Sequence, residues 1–337
     1  MADDQAFLKR LSSRRVVALL CAAQALAFLN PIYAQQLETL PKVGILLPSH
    51  TGEKTYLVSF LQGLSELGYI DGKNIIIERR IAIPTPGQLV EFADELVNLN
   101  VDVIVTSSTP ATKAVKSATS SIPIVVAAAG DLVRSRLVES LARPGGNITG
   151  LSMRMPELAG KRLQLLKQIF PQVRRVGFVW NKTSSLNAMT FREGQAAART
   201  MGIEVKSVPI ESSSDFDDRF KFLIGEKLDA LSAIRDSIIL NNRDQIANVA
   251  ITYRLPAICE GIEFVRAGAL ASYATNQLDL WKRAAYFVDR ILKGTKPADL
   301  PVERPLRVEF VLNLKTATKI GVTLPPEVLQ QADVVLR

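Results

Sequence analysis

From Lys42 onward, short apolar runs alternate with stretches whose apolar residues recur every three or four positions, and the connections between them are short. That alternation narrows the fold more than any other feature of the chain. Val43-Gly44-Ile45-Leu46-Leu47 is continuously apolar, as a strand covered on both faces must be. Residues 55–67 put Leu57, Leu61, Leu64 and Leu67 on one helical face, and Gly68 suits a left-handed cap. The same reading gives a strand from Asn74 to Ile83, a helix over 87–99 and a strand over 101–105. A helix then starts after Thr109, with Pro110 at its first position, where no N–H is missed. A strand over 122–129 and a helix over 131–142 complete the first half. The second half repeats the rhythm, with helices over 157–170, 187–201, 214–227 and 241–253. Its strands are 175–180, 203–209, 229–234, 256–259 and 269–273. A final amphipathic helix, 277–293, carries Trp281, Ala284, Ala285, Val288, Ile291 and Leu292 on one stripe. Alternation of this kind implies α/β architecture: parallel sheets, right-handed crossovers and helices on both faces.

A chain of 337 residues fits two such domains, each of roughly 120–150 residues. Arg143-Pro144-Gly145-Gly146-Asn147-Ile148-Thr149-Gly150 reads as the linker between them, with three glycines and a proline in eight residues. The net charge of +8 alone admits nucleic acid as a partner. Its distribution argues otherwise: no run of five Lys or Arg occurs, and the pairs Arg79-Arg80 and Arg174-Arg175 flank apolar strands. A scattered basic surface with no nucleic-acid partner is expected.

The first residues read as an export signal. Arg14-Arg15 precede an apolar segment, Val16 to Phe28, and Asn30-Pro31 and Ile32-Tyr33-Ala34 follow before Gln35. A basic region, a short apolar region and a small residue before the cut predict cleavage after Ala34 and a periplasmic location. The apolar segment is short for a membrane span, which needs about 20 residues. Ser13-Arg14-Arg15 leaves the twin-arginine and ordinary secretory routes both open. Only Cys21 and Cys259 are present, so the mature chain has one thiol and no internal disulfide. Cys259 reads as a small buried hydrophobe rather than a nucleophile.

Ligands of open parallel sheets bind beyond the carboxyl ends of the strands. In the first half those ends are Pro48-Ser49-His50-Thr51, Thr106-Ser107-Ser108-Thr109 and Ala128-Ala129-Gly130-Asp131. In the second they are Asn181-Lys182-Thr183-Ser184-Ser185, Arg235-Asp236-Ser237 and Glu260-Gly261, with Tyr273 closing the strand over 269–273. The candidate binding residues are therefore Ser49, Thr51, Ser107, Ser108, Thr109, Gly130, Asp131, Asn181, Asp236, Glu260 and Tyr273. Ser107, Ser108 and Thr109 end a buried strand and open a helix. There, free N–H groups and the helix dipole favour an anion such as a carboxylate, and simple N-capping by Ser108 or Thr109 is equally compatible. His50, the single histidine, either faces this cleft or sits on an exposed loop. No nucleophile elbow, P-loop or dinucleotide fingerprint is present. One histidine and one mature cysteine exclude an ordinary structural zinc site. Asp131, Asp236 and Glu260 are expected to cap or pair rather than to do acid–base chemistry. Neither a cofactor nor an enzymatic activity is expected.

Several segments carry a family resemblance. They include Leu61-Gln62-Gly63-Leu64-Ser65-Glu66-Leu67-Gly68-Tyr69 with Asp71-Gly72-Lys73-Asn74, the Arg-Pro-Gly-Gly-Asn-Ile-Thr-Gly run at 143–150, and Lys161-Arg162-Leu163. Lys296-Pro297-Ala298-Asp299-Leu300-Pro301-Val302 and Leu312-Asn313-Leu314-Lys315-Thr316-Ala317 extend it toward the end of the chain. With these, the sequence resembles the ABC-transporter substrate-binding proteins of the tryptophan/tyrosine type, which have the type I periplasmic-binding fold. The resemblance implies two lobes joined by crossings near 150, 274 and 308, with helix 277–293 returning to the first lobe. Lobe 1 is then 42–149 plus about 275–306, and lobe 2 is 150–274 plus about 307–337. It also implies a ligand between the lobes, an ABC permease and ATPase as partners, membrane contact only through the permease, and a monomer. In the aromatic-amino-acid binders of the group, the ligand carboxylate meets groups like those at 107–109. Many relatives have Asn-Pro where this chain has Asn181-Lys182. A ligand-sensing subunit of a membrane signalling receptor is the alternative reading, and a secreted α/β enzyme a further one.

Overall fold

The computed structural model describes residues 40–48, 53–82, 87–153, 156–304 and 307–337. The expected signal segment and Ser49, His50 and Thr51 lie outside the described residues. The chain first builds β1 (Lys42–Pro48), α1 (Glu53–Glu66), β2 (Ile76–Ala82), α2 (Gln88–Asn98), β3 (Val103–Ser107), α3 (Thr109–Ala118), β4 (Ile124–Ala129) and β5 (Ile148–Ser152). These strands make one parallel sheet in the order β2-β1-β3-β4-β5. The chain then crosses to a second unit: α4 (Leu158–Ile169), β6 (Arg175–Asn181), α5 (Ser185–Thr200), β7 (Glu204–Ile210), α6 (Phe216–Gly225) and β8 (Ala230–Ala233). It continues with α7 (Ser237–Asn241), α8 (Arg243–Thr252), β9 (Ala257–Cys259), α9 (Ile262–Ala267) and β10 (Ala271–Thr275). Helix α10 (Gln277–Leu292) returns to the first sheet. β11 (Val308–Asn313), α11 (Leu314–Ile320), α12 (Pro326–Gln331) and β12 (Val334–Leu336) finish on the second. That sheet runs β12-β11-β10-β9-β8-β6-β7.

Strand alternation distributes the cores. Val43, Ile45 and Leu47 of β1 face Tyr56, Phe60 and Leu64 of α1 and Trp281 and Ala285 of α10. Leu46, pointing the other way, packs with Leu96 of α2 and Val115 of α3. In the second lobe Phe178 of β6 joins the α4 side, and Val179 joins Phe216 and Phe220 of α6. Gly63 lets α1 cross α10 closely, since a Cβ there would lie 2.6 Å from the Lys282 carbonyl oxygen.

The structure corrects three local readings. Among the described residues the strand pairs are parallel with one exception, β10 with β11, which are antiparallel. β10 leaves the second lobe for α10 and β11 comes back, so the two run in opposite senses. Residues 131–142 form successive turns, not a helix. The Asp131 carboxylate accepts the N–H groups of Val133 and Arg134, which diverts the backbone, and Arg136 sits at φ 56. Leu132, Leu137 and Val138 still reach the core. The glycine-rich run at 143–150 is only partly a linker, because Ile148–Ser152 is β5 and spans the expected boundary at 149–150. Gly150 is needed for close approach: its φ is +125, and a Cβ would lie 2.2 Å from the Val126 carbonyl oxygen. Among the described residues, no helix is long and apolar enough to cross a membrane.

Candidate functional site

The carboxyl ends of the two sheets' strands face each other across a cleft, which encloses a cavity of about 500 Å³. That volume suits a small organic ligand. From the first lobe the lining includes Pro48, Tyr56, Ser107, Ser108, Thr109 and Gly130. From the second it includes Asn181, Ser184, Ser185, Leu186, Arg235 and Asp236, while α10 supplies Gln277 and Trp281.

Helix α3 opens directly on this cavity. The register of β3 against β4 shifts between Thr106 and Ser107, and this irregularity ends the strand just before the helix. The Ser108 N–H donates to the Ala128 carbonyl at 2.7 Å, and its Oγ accepts from the Ala111 N–H at 3.4 Å. Ser108 is thus the N-cap, at φ 68 and ψ 151, a backbone region that residues with a Cβ rarely adopt. The first N–H groups of a helix have no intrahelical acceptor, and its dipole is positive at that end. Helix α5 presents a second N-terminus from the opposite lobe, where Ser184 Oγ accepts from the Asn187 N–H at 3.3 Å. Two N-termini, one from each lobe, therefore line one cavity.

Behind them lies a hydrogen-bonded frame. Asn181 donates through Nδ2 to Asp236 Oδ1 at 2.9 Å, and its Oδ1 accepts from the N–H and the hydroxyl of Thr183. Asn187 Oδ1 accepts the Asn181 N–H, and its Nδ2 donates to the Arg235 carbonyl. Asp236 Oδ1 also accepts from the Ile238 N–H. Burial raises the pKa of Asp236, opposed by those two hydrogen bonds. A ligand ammonium beside it would favour the charged form.

Three of the expected residues do not line the cavity. Asp131 is held by its own turn and lies 3.6 Å from Arg134. Glu260 is buried inside the second lobe, 3.5 Å from Arg162, with Oε2 accepting the Arg235 N–H at 3.0 Å. Burial pushes its pKa up, against the attraction of Arg162. Tyr273 packs edge-on to Phe310, and its carbonyl accepts from Arg162. Cys259 is fully buried, and burial pushes its thiol up to about 12. Among the described residues, no group of three His, Cys, Asp or Glu is placed to hold a metal.

Tyr56, Arg235, Leu186 and Trp281 also line the cavity, and no sequence motif marks any of them as a binding residue. Trp281 lies on the stripe of helix 277–293; it is 1% exposed and stacks parallel to Tyr56 at 6.3 Å between ring centroids. Arg235 was noted only as a neighbour of Asp236. Nothing local to these residues marks them, because each acts through a partner distant in sequence.

The chain is similar to known proteins over most of its length. The family model for "ABC transporter substrate binding protein" matches residues 42–336. A tyrosine-binding protein of Clostridioides difficile (strain R20291) is 29% identical over 257 residues, covering 76% of this chain and 74% of that one. A crystal structure from Streptococcus pneumoniae, described as an ABC domain in complex with L-Trp, superposes with a TM-score of 0.83 at 28% identity, covering 88% of this chain and all of that one. A conserved domain protein from Vibrio cholerae gives 0.82 at 30%, with the same coverage. At 12–16% identity the likeness extends, as one of fold alone, to sugar- and leucine-binding proteins and a transcription regulator. This is the type I periplasmic-binding fold.

Proposed function

The chain belongs to the ABC transporter substrate-binding protein family, and on that premise we propose that it captures an aromatic amino acid between its lobes and delivers it to an ABC importer. Proteins of this family work outside the cytoplasmic membrane, bind a small ligand and are not enzymes. Export by cleavage after Ala34 fits that setting.

One observation carries the choice of ligand: the cavity joins two helix N-termini and a buried carboxylate to an aromatic wall. A ligand carboxylate suits the Ser107–Thr109 end of α3, where N–H groups and hydroxyls converge. An ammonium suits Asp236, whose burial leaves its charge under-compensated. Tyr56, Trp281, Leu186 and Leu240 surround the space that remains. Binding of tyrosine and tryptophan by the relatives supports the same class. The polar groups of such a site reject ligands that leave them unpaired.

Calorimetry on the protein beginning at Gln35 tests this. L-Tyrosine or L-tryptophan should bind. Tryptamine, lacking the carboxylate, and indole-3-propionate, lacking the ammonium, should each bind at least about tenfold more weakly, since one charge-assisted hydrogen bond contributes about 1.5–3 kcal/mol. Binding of a sugar or a branched aliphatic amino acid in preference to both aromatic ones would overturn the reading. Loss of labelled amino-acid uptake on deleting the gene would tie binding to transport.

A further inference from the structure

One polar cluster joins the two lobes at the wall of the cavity, and none of its polar groups was assigned to the ligand above. Tyr56 lies on α1 in the first lobe, while Arg235 follows β8 and Glu263 lies in the first turn of α9, both in the second. Arg235 Nη1 donates to Glu263 Oε2 at 2.8 Å, and Nη2 donates to Glu263 Oε1 at 3.3 Å. The same Nη2 donates to the Tyr56 hydroxyl at 2.7 Å, and that hydroxyl donates to Glu263 Oε1. The guanidinium carbon is 5.9 Å from the centre of the Tyr56 ring. Tyr56 is 4% exposed, and the Arg235 and Glu263 side chains are 12% and 13% exposed. The three groups meet away from bulk water, where charge-assisted hydrogen bonds are strongest.

We propose that Tyr56, Arg235 and Glu263 form a clasp across the cleft that holds the lobes closed behind the ligand and sets its release rate. The Arg235–Glu263 pair is internal to the second lobe and survives opening. Tyr56 belongs to the first lobe and leaves when the lobes part. Closing therefore brings one hydroxyl onto a preformed ion pair, donating to its carboxylate and accepting from its guanidinium. Tyr56 and Arg235 both line the cavity, so the clasp also forms part of its wall. The Arg235 charge is already balanced by Glu263, which leaves a ligand carboxylate to the helix N-termini. Glu263 does not line the cavity and acts as a positioning residue for Arg235. Burial raises the Tyr56 hydroxyl to about 12, so it keeps the proton the arrangement needs.

The proposal rests on the aromatic-amino-acid reading only in the choice of probe. Tyr56→Phe removes the hydroxyl and keeps the ring against Trp281. Stopped-flow fluorescence, exciting tryptophan beyond the absorption of tyrosine in a Trp180→Phe background, reads Trp281 beside the clasp with L-tyrosine as the probe. Tyr56→Phe is expected to raise the dissociation rate about tenfold and to leave the association rate within about twofold, the usual pattern for affinity changes within one interface. Glu263→Gln should act in the same direction. An unchanged dissociation rate would overturn the clasp, as would a matching loss of thermal stability in the ligand-free protein, which marks a merely structural role. If L-tyrosine does not bind the wild type, the ligand reading fails and the clasp is judged without ligand. Spin labels at Lys73→Cys and Asp218→Cys, both exposed and in different lobes, then report the lobe separation by pulsed electron resonance. The wild type should show a short-distance component that Tyr56→Phe diminishes, and a distribution unaltered by Tyr56→Phe overturns the proposal.

Discussion

Ser108 occupies a backbone position that glycine adopts more readily. At φ 68 and ψ 151 a Cβ is strained, by about 1–3 kcal/mol in comparable cases. Ser→Gly at an N-cap costs only a few tenths of a kcal/mol. If stability alone decided this position, glycine would be the better residue. Ser108→Gly is therefore expected to raise the unfolding free energy of the ligand-free protein by about 1 kcal/mol, read from urea denaturation. The same variant should bind the aromatic amino acid several-fold more weakly by calorimetry, because the hydroxyl facing the cavity is gone. A variant that is less stable and binds equally well would make Ser108 a helix cap and nothing more.

At the scale of elements, the closeness of the lobes is recorded where β4 meets α5. Gly130 follows β4 in the first lobe, and a Cβ built on it would lie 2.4 Å from Leu186 Cδ2 of the second. A side chain there must displace Leu186 when the cleft is closed, and opening moves Leu186 away. Gly130→Val should cost the closed form about 1–3 kcal/mol by overpacking, so ligand affinity falls roughly tenfold to a hundredfold. Thermal unfolding without ligand should change little. A large loss of ligand-free stability would place the clash within the first lobe's own core instead. This level also shows what a sequence makes legible. The α3 N-terminus could be read because one short segment, Thr106 to Pro110, holds the strand end, the cap and the first-turn proline. The parallel sheets followed from apolar runs such as Val43 to Leu47. Strand β5 was hidden by glycine, whose meaning there is close approach to Val126 rather than freedom. Helix α9 has six residues between Gly261 and Gly268, too few for a period to show. Tyr56 and Arg235 stand 179 positions apart, each in unremarkable surroundings. Their meeting follows from topology, which brings α1 and the β8 loop to the same cleft.

Among the described residues the chain passes between the two lobes three times: after β5, at Asn276, and before β11. At the second, a single residue separates β10 from α10. Asn276 caps that helix by accepting the Leu278 N–H at 2.9 Å and reaches β11 by donating to Glu309 at 3.3 Å. Rotation about such short connections moves each lobe as a body, and a ligand favours the closed arrangement only through contacts made with both lobes. The pH dependence of the clasp follows from its two titrating members. Arg235 and the Tyr56 hydroxyl hold Glu263 at about 2, against the opposing effect of burial and an ordinary value of 4.5. A depressed carboxylate pKa stabilises above about pH 4.5, and that contribution is lost as pH falls toward 2. Tyr56 is raised from 10.0 to about 12, chiefly by burial. Its contribution is complete below pH 10 and is lost as pH rises through 12. Between these limits neither group changes charge, so the clasp should be independent of pH from about 5 to 9. Small-angle scattering with saturating L-tyrosine should give a radius of gyration smaller than that of the ligand-free protein, and equally so at pH 5, 7 and 9. A ligand-induced contraction present at pH 7 but absent at pH 5 would place control of closure in a group other than Glu263 or Tyr56. Asp236, which lines the cavity and whose pKa burial raises, would then be the residue to replace with Asn.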